Sequence, residues 1–214
     1  SELAVKQIAL ADELDYQKQE RLRELLRDLE NTVVNGVAPA TGGAGDAQTR
    51  RTMRGILGFI ASNVFVPGAD GFPAGQTAGT LDEEMLNTAL KLIWDASAGK
   101  VDTILVGGAQ KRRINSFVAS QQRFATDRTD SYRNMVGVYE SDFGVCRVVL
   151  SRYVPPDKVV LLDSSRVAVL PLAGRSFHYR PLASTGDFET GQIIGEYTVE
   201  LRNEAAHGVI RGLS

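Results

Sequence analysis

Residues 2–34, ELAVKQIALADELDYQKQERLRELLRDLENTVV, contain neither glycine nor proline and are dense in Leu, Glu, Lys, Arg and Gln, residues that lose little rotamer freedom in a helix. Leu22, Leu25, Leu26, Leu29 and Val33 recur at helical spacing, and Leu3, Ile8 and Leu14 extend the pattern less regularly. One apolar stripe therefore faces a partner. At 1.5 Å per residue a helix over Glu2–Val34 spans on the order of 50 Å, long for a compact domain of 214 residues. It reads as a coiled-coil arm or as a spine laid across an extended domain.

Asn35-Gly36 stops this rod, and the Ala-, Gly-, Pro- and Thr-rich stretch 38–46 reads as a linker marking the first boundary. Within it, Gly42-Gly43-Ala44-Gly45 lacks both the lysine and the preceding strand of a phosphate-binding loop. Thr49 to Phe65 opens with Arg50, Arg51 and Arg54 and continues with Ile56, Leu57, Phe59 and Ile60. The interposed Gly55 and Gly58 fit a segment packed in a core and then turning better than a membrane-surface helix. Pro67 to Gly79 is a loop.

Thr80-Leu-Asp-Glu83 has the pattern of a capping box, with Thr80 as cap and Glu83 reaching back. Leu81, Met85, Leu86, Ala89, Leu92 and Ile93 form the stripe of the helix that follows, Trp94 lies at its rim, and Gly99 closes it. Asp102–Val106 predicts a buried strand and Gln110–Ser120 another helix, a helix–strand–helix order typical of an α/β arrangement. After the arginine-rich stretch 121–133 the pattern changes to short strands. Met135–Tyr139 and Val145–Leu150 flank Ser141-Asp-Phe-Gly144, which is hairpin chemistry. Lys158–Asp163 and Val167–Leu170 follow Pro155-Pro156. Gln192–Arg202 alternates as one long half-exposed strand, and Val209–Leu213 is expected to pair back on it across a turn at 203–208.

Composition narrows the chemistry. With 43% hydrophobic and 23% charged residues the chain is an ordinary globular protein, and a net charge of −2 carries no footprint of a dedicated nucleic-acid or membrane-surface binder. No run approaches the roughly 20 apolar residues of a membrane span, and no charged-then-apolar leader opens the chain. Cys146, the only cysteine, sits in the apolar run Val145–Leu150, where alternation places it on a strand, and reads as a small buried hydrophobe. A lone thiol forms no internal disulfide, which suits a reducing cytoplasm. The two histidines, His178 and His207, have no Cys or second His at ligand spacing. No serine sits in a nucleophile elbow, and Asp142-Phe143-Gly144 lacks the other kinase signatures. No catalytic, cofactor-binding or metal-ligating residue is nominated, no cofactor is expected, and the chain reads as a non-enzyme. The Gln110-Lys-Arg-Arg113 cluster, extended by Arg123, Arg128 and Arg133, is offset by Asp127 and Asp130. A solvated or intersubunit face explains it better than a DNA site.

Ile194-Gly-Glu-Tyr-Thr-Val-Glu-Leu-Arg-Asn-Glu-Ala-Ala-His-Gly-Val-Ile-Arg-Gly-Leu213 resembles the C-terminal signature of tailed-phage major capsid proteins with the Hong Kong 97-type fold. Thr49–Leu57, the 102–106 strand leading to Gln110–Ile114, and Val138–Gly144 with its following strand add to the resemblance, which runs in order from about residue 49 to the end. The resemblance implies an α+β subunit with a long spine helix, a peripheral sheet and an axial α/β domain. On that pattern residues 1–37 hold the peripheral domain's spine helix, 38–163 are mainly axial, and 164–214 are C-terminal strands returning toward the peripheral domain.

The function implied is self-assembly into hexamers and pentamers of an icosahedral shell around double-stranded DNA, with a bacterial cytoplasm as the place of assembly and the virion capsid as the destination. The implied partners are further copies of the chain, scaffold, portal and decoration proteins, and non-specifically contacted DNA, with no membrane. An encapsulin-like cargo compartment and a small α/β ligand-binding or enzymatic domain are the rival readings. The family's N-terminal arm and extended loop precede its spine helix, and nothing here matches them. Because the chain begins at Ser1 and runs directly into helix, it reads as part of a longer polypeptide, and impaired shell assembly is expected of it.

Overall fold

A computed structural model describes residues 13–37, 48, 51–68, 79–97, 99–122, 137–183, 186 and 190–214. The first turns of the expected rod, the 38–46 linker, most of the 67–79 loop and the arginine-rich stretch from 123 onward lie outside the described residues.

Helix α1 (Glu13–Asn35) covers 23 residues, about 35 Å at helical rise. Leu22, Leu25, Leu29 and Val33 are half-buried and Val34 is buried. Leu26, expected in the stripe, is instead exposed. The helix ends where two backbones cross: the Gly55 N–H donates to the Gly36 carbonyl at 2.8 Å. A Cβ on Gly36 would lie 2.2 Å from the Met53 carbonyl oxygen, and one on Gly55 would lie 2.4 Å from the Gly36 nitrogen. Only glycine allows so close an approach. The chain then makes the single turn α2 (Ile56–Phe59), with Ile56 and Ile60 buried, as expected of a core segment.

Helix α3 (Glu83–Ala96) starts two residues later than the capping box predicts. Asp82, in extended backbone, accepts the Met85 N–H at 2.8 Å. Leu81 is buried, so the chain must stay extended to seat it before the helix can begin. Glu83 and Glu84 occupy the first turn, where negative charge meets the positive end of the helix dipole. Met85, Leu86, Ala89, Leu90 and Ile93 face inward. Helix α4 is Gly108–Gln122.

The described strands are β1 (Val64–Phe65), β2 (Thr103–Val106), β3 (Val138–Ser141), β4 (Gly144–Leu150), β5 (Lys158–Leu162), β6 (Val167–Pro171), β7 (His178–Pro181), β8 (Gly191–Ile194), β9 (Tyr197–Leu201) and β10 (Gly208–Arg211). Six of them form one mixed sheet in the order β1-β10-β5-β2-β4-β3, with β1–β10 and β2–β4 parallel and the other pairs antiparallel. The β3–β4 hairpin closes at Ser141 and Gly144 as expected, and Gly144 takes φ 137°.

One face of the sheet packs Ile104, Val106, Cys146, Val159, Leu161 and Ile210 under the α3 and α4 side chains Met85, Leu86, Ile93 and Ile114. The other packs Val160, Leu162 and Val209 against Val34, Ile56, Ile60 and Val199. Because β5 is covered on both sides, Val159 to Leu162 form a continuous apolar run rather than an alternation.

The tail departs from expectation. Gln192–Arg202 is not one strand: it breaks at Gly195-Glu196 into β8, which pairs with β7, and β9, which pairs with β6. Val209–Leu213 does not pair back on β9 but enters the main sheet between β1 and β5. Residues 167–201 thus form a two-tiered arm, and the final strand belongs to the six-stranded sheet. An alternating strand carries no label for its partner, and the apolar Val209 and Ile210 are better covered between two strands than on an exposed ribbon.

Candidate assembly surfaces

The arm lies beside α1 and leaves a groove of about 1400 Å³ between them, lined by Leu25, Leu29, Met53, Phe59, Leu170 and Tyr197 among others. Its rim is charged and ordered. Arg175 Nη2 donates to Glu196 Oε1 at 2.5 Å, with Arg51 Nη1 3.8 Å from the other carboxylate oxygen, and the Arg54 guanidinium sits 5.4 Å from the Phe59 ring centroid. Lys18 of α1 lies 4.6 Å from the Tyr179 ring centroid, a cation–π contact that ties the helix to the distal tier. Where the two tiers meet, Phe177 before β7 and Tyr197 of β9 are tilted rings 4.8 Å apart, and the Tyr197 hydroxyl accepts the Phe177 N–H. The arm is therefore shaped by its own aromatics while Val169, Leu170, Leu172, Tyr179 and Leu182 remain exposed.

Further exposed apolar side chains lie on the β3–β4 hairpin and at the end of α3. Val138 and Val145 are exposed on one face of the β3–β4 hairpin, and Leu150, 61% exposed, alternates onto the other face beside Val106. Val145 stands opposite Glu140 and Val138 opposite Arg147, so apolar and charged residues alternate there. Trp94 is 60% exposed and meets Phe143 at 6.1 Å between ring centroids. Isolated exposed apolar side chains are ordinary, whereas contiguous ones rimmed by charge mark interaction surfaces.

Cys146 is buried on the sheet's inner face, and burial pushes its thiol up to about 11. His178 is exposed on the arm, with Nδ1 2.9 Å from the Ser176 carbonyl. His207 is fully buried in the body, so the two histidines do not meet. Of the basic cluster, Gln110 is buried and donates to the Pro156 carbonyl at 2.8 Å. Lys111 is half-buried, and burial lowers its pKa. Arg112 and Arg113 are the exposed members, and Arg123, Arg128 and Arg133 lie outside the described residues. Among the described residues no group of three His, Cys, Asp or Glu could hold a metal ion, and no helix is long and apolar enough to cross a membrane.

Sequence reading missed the polar joint between sheet and arm. Asp163 accepts from the Ser165 hydroxyl and N–H, from Arg166 Nε at 2.9 Å and from the Lys100 N–H. Burial acts to raise its pKa, but these donors outweigh burial and hold the carboxyl below its usual range. Glu204 Oε1 accepts the Ala61 and Ser62 N–H groups at 2.6 and 2.8 Å, and its other oxygen accepts the Ser62 hydroxyl. There too the donors overcome burial and lower the pKa. Asp102 likewise receives the Ser164 N–H at 2.9 Å. The available signal was the polar run Asp163-Ser-Ser-Arg166 between two apolar strands.

The profile of the family described as SU10 major capsid protein matches residues 1–214. No curated protein sequence matches the chain. Among solved structures, the chain is similar to the SrpI encapsulin complex of Synechococcus elongatus, at 12% identity and TM-score 0.63, over 100% of this chain and 70% of that one. It is similar to the procapsid of satellite phage P4 at 12% identity and TM-score 0.57, over 99% and 66%. A third similar structure is the capsid of cyanophage A-1(L), at 12% identity and TM-score 0.57, over 94% and 70%. At such identities the likeness shows the fold, a mixed α+β architecture of the Hong Kong 97 type.

Proposed function

The chain belongs to the SU10 major capsid protein family, and from that premise we propose that it builds the pentamers and hexamers of an icosahedral tailed-phage or prophage head enclosing double-stranded DNA. The observation that carries this reading is the open groove between α1 and the arm. Among the described residues, the groove-facing side chains of α1 and several apolar arm residues stay uncovered, and repeated contacts with further copies would bury them. Many weak, identical interfaces closing into a shell then stabilise one another by multivalency.

The proposed division of labour follows the elements. Helix α1 and the arm 167–201 make a peripheral unit, and the six-stranded sheet with α3 and α4 makes an axial unit that includes the final strand, β10. The subunit is structural rather than catalytic, with assembly in the host cytoplasm and scaffold, portal and decoration proteins as further partners. Arg112 and Arg113, the exposed members of the basic cluster, are the proposed points of non-specific phosphate contact.

Size-exclusion chromatography with light scattering of the full-length protein, followed by negative-stain microscopy across a hundredfold range of protein concentration, tests the reading. Rings or closed particles support it, and a clean monomer throughout overturns it. The encapsulin-like alternative separates on the contents of particles purified from cells: protein cargo favours it, and packaged DNA favours the phage head.

A further inference from the structure

Two segments cross between the main sheet and the arm: residues 163–166 lead from β5 to β6, and residues 202–207 lead from β9 back to β10. His207 closes these crossings on each other. Its side chain is fully buried, Nδ1 accepts the Asp163 backbone N–H at 3.3 Å, and Nε2 lies 3.4 Å from the Arg202 carbonyl oxygen. The partners determine the tautomer: the nitrogen facing an N–H must be bare, and the nitrogen facing a carbonyl must carry the proton. Alongside, the Arg202 N–H donates to the Arg166 carbonyl at 2.8 Å. The His207 carbonyl accepts from Asn63 Nδ2 at 2.8 Å, which ties the ring's own backbone to the segment before β1.

The charged groups around the ring come from each element packed on it. Asp163 at the end of β5 and Glu204 in the turn before β10 favour a positive imidazole, and Arg166 opposes it. Both carboxylates already spend their oxygens on other donors, Asp163 on Ser165, Arg166 and the Lys100 N–H, and Glu204 on Ala61 and Ser62. Arg202 is turned outward onto Glu200. Burial is the largest influence on the ring, and it favours the neutral form.

We propose that His207 is a proton-sensitive latch at the root of the arm: neutral, it locks the two crossing segments together, and protonated, its Nδ1–H faces the Asp163 N–H donor to donor and frees the arm to change its angle to the sheet. The sign follows from the folded chain holding the ring neutral. The latch is closed above the ordinary histidine value of 6.5 and is progressively lost as pH falls below it, because the opened form takes up a proton that the closed form excludes. The latch is a property of one subunit; only its use in a shell, where the arm borders the groove, rests on the capsid reading.

The test is done on the dispersed subunit carrying His178→Gln, which leaves His207 as the sole histidine. Side-chain nitrogen NMR from pH 7.5 to 5 should show the Nε2–H tautomer and a titration below 6.5. Hydrogen exchange, corrected for its intrinsic pH dependence, should show opening at the Asp163 amide rising by up to about tenfold per pH unit below about 6.5. A second variant adding His207→Gln should lose that pH dependence. The opposite tautomer, a titration at or above 6.5, or a flat Asp163 opening between pH 7.5 and 5 overturns the latch, and the first two readouts decide even if His207→Gln fails to fold. None of them depends on whether shells form.

Discussion

Gly36 and Gly55 meet backbone to backbone, the N–H of one on the carbonyl of the other at 2.8 Å, and neither has room for a side chain. This crossing fixes where α1 leaves the body and therefore how wide the groove beside the arm stands. Gly55→Ala would place its Cβ 2.4 Å from the Gly36 nitrogen and 2.8 Å from two other backbone atoms. Backbone cannot swing aside as a flexible side chain can, so a loss of at least about 2 kcal/mol is expected. Urea unfolding checks it; an unchanged midpoint would show that the crossing relaxes freely.

Glu204→Ala removes the acceptor for two N–H groups and one hydroxyl in the segment 61–62. These donors are near enough to solvent to be partly rehydrated, which limits the loss to about 1–3 kcal/mol. Acid should reproduce part of it. The Glu204 and Asp163 carboxyls are held below their ordinary values of 4.5 and 3.8. Their stabilisation is therefore complete above those values and lost as pH falls through the lowered ones. Thermal melts from pH 5 to 2 should show this decline, separated from any change between pH 7 and 5, and Glu204→Ala should flatten it.

Leu170 and Leu172 stand exposed on the arm beside the groove. The double substitution Leu170→Asp with Leu172→Asp should leave subunit stability within about 0.5 kcal/mol, as surface changes usually do, while abolishing higher assemblies. Sedimentation velocity alongside a denaturant melt distinguishes the two effects, and particles of unaltered size would remove the arm from the interface.

Cys146 should resist alkylation at neutral pH. It is 1% exposed, its Sγ lies 3.4 Å from the Val101 carbonyl, and the thiol is pushed up to about 11, so almost no thiolate exists to react. Labelling with iodoacetamide before and after denaturation should go from near zero to complete. Rapid labelling of the native chain would mean that β4 opens readily.

Local features were legible because they depend on neighbours in the chain. The α1 stripe, the inward face of α3, the hairpin at Ser141 and Gly144, and the burial of Cys146 all follow from periodicity or turn chemistry. The helix cap was misread by two residues because Thr80 and Asp82 are both competent acceptors. The choice fell to Leu81, whose burial is a tertiary fact. The Asp163, Glu204 and His207 joint was invisible for a related reason: Asp163 lies 44 residues from His207, and the donors to Glu204 at Ala61 and Ser62 lie 142 or more residues from it.

By itself the sequence determined a long amphipathic helix, most of the strands of the main sheet and a C-terminal motif resembling one family of shell proteins. Only the tertiary structure decided that the last strand sits between β1 and β5, that Gly195-Glu196 divides the arm into two tiers, and which flank of α1 stays uncovered. Alternation tells a strand which face to bury but not which strand to join. That choice is made by the total apolar area each pairing removes from water, a sum over residues far apart in the chain.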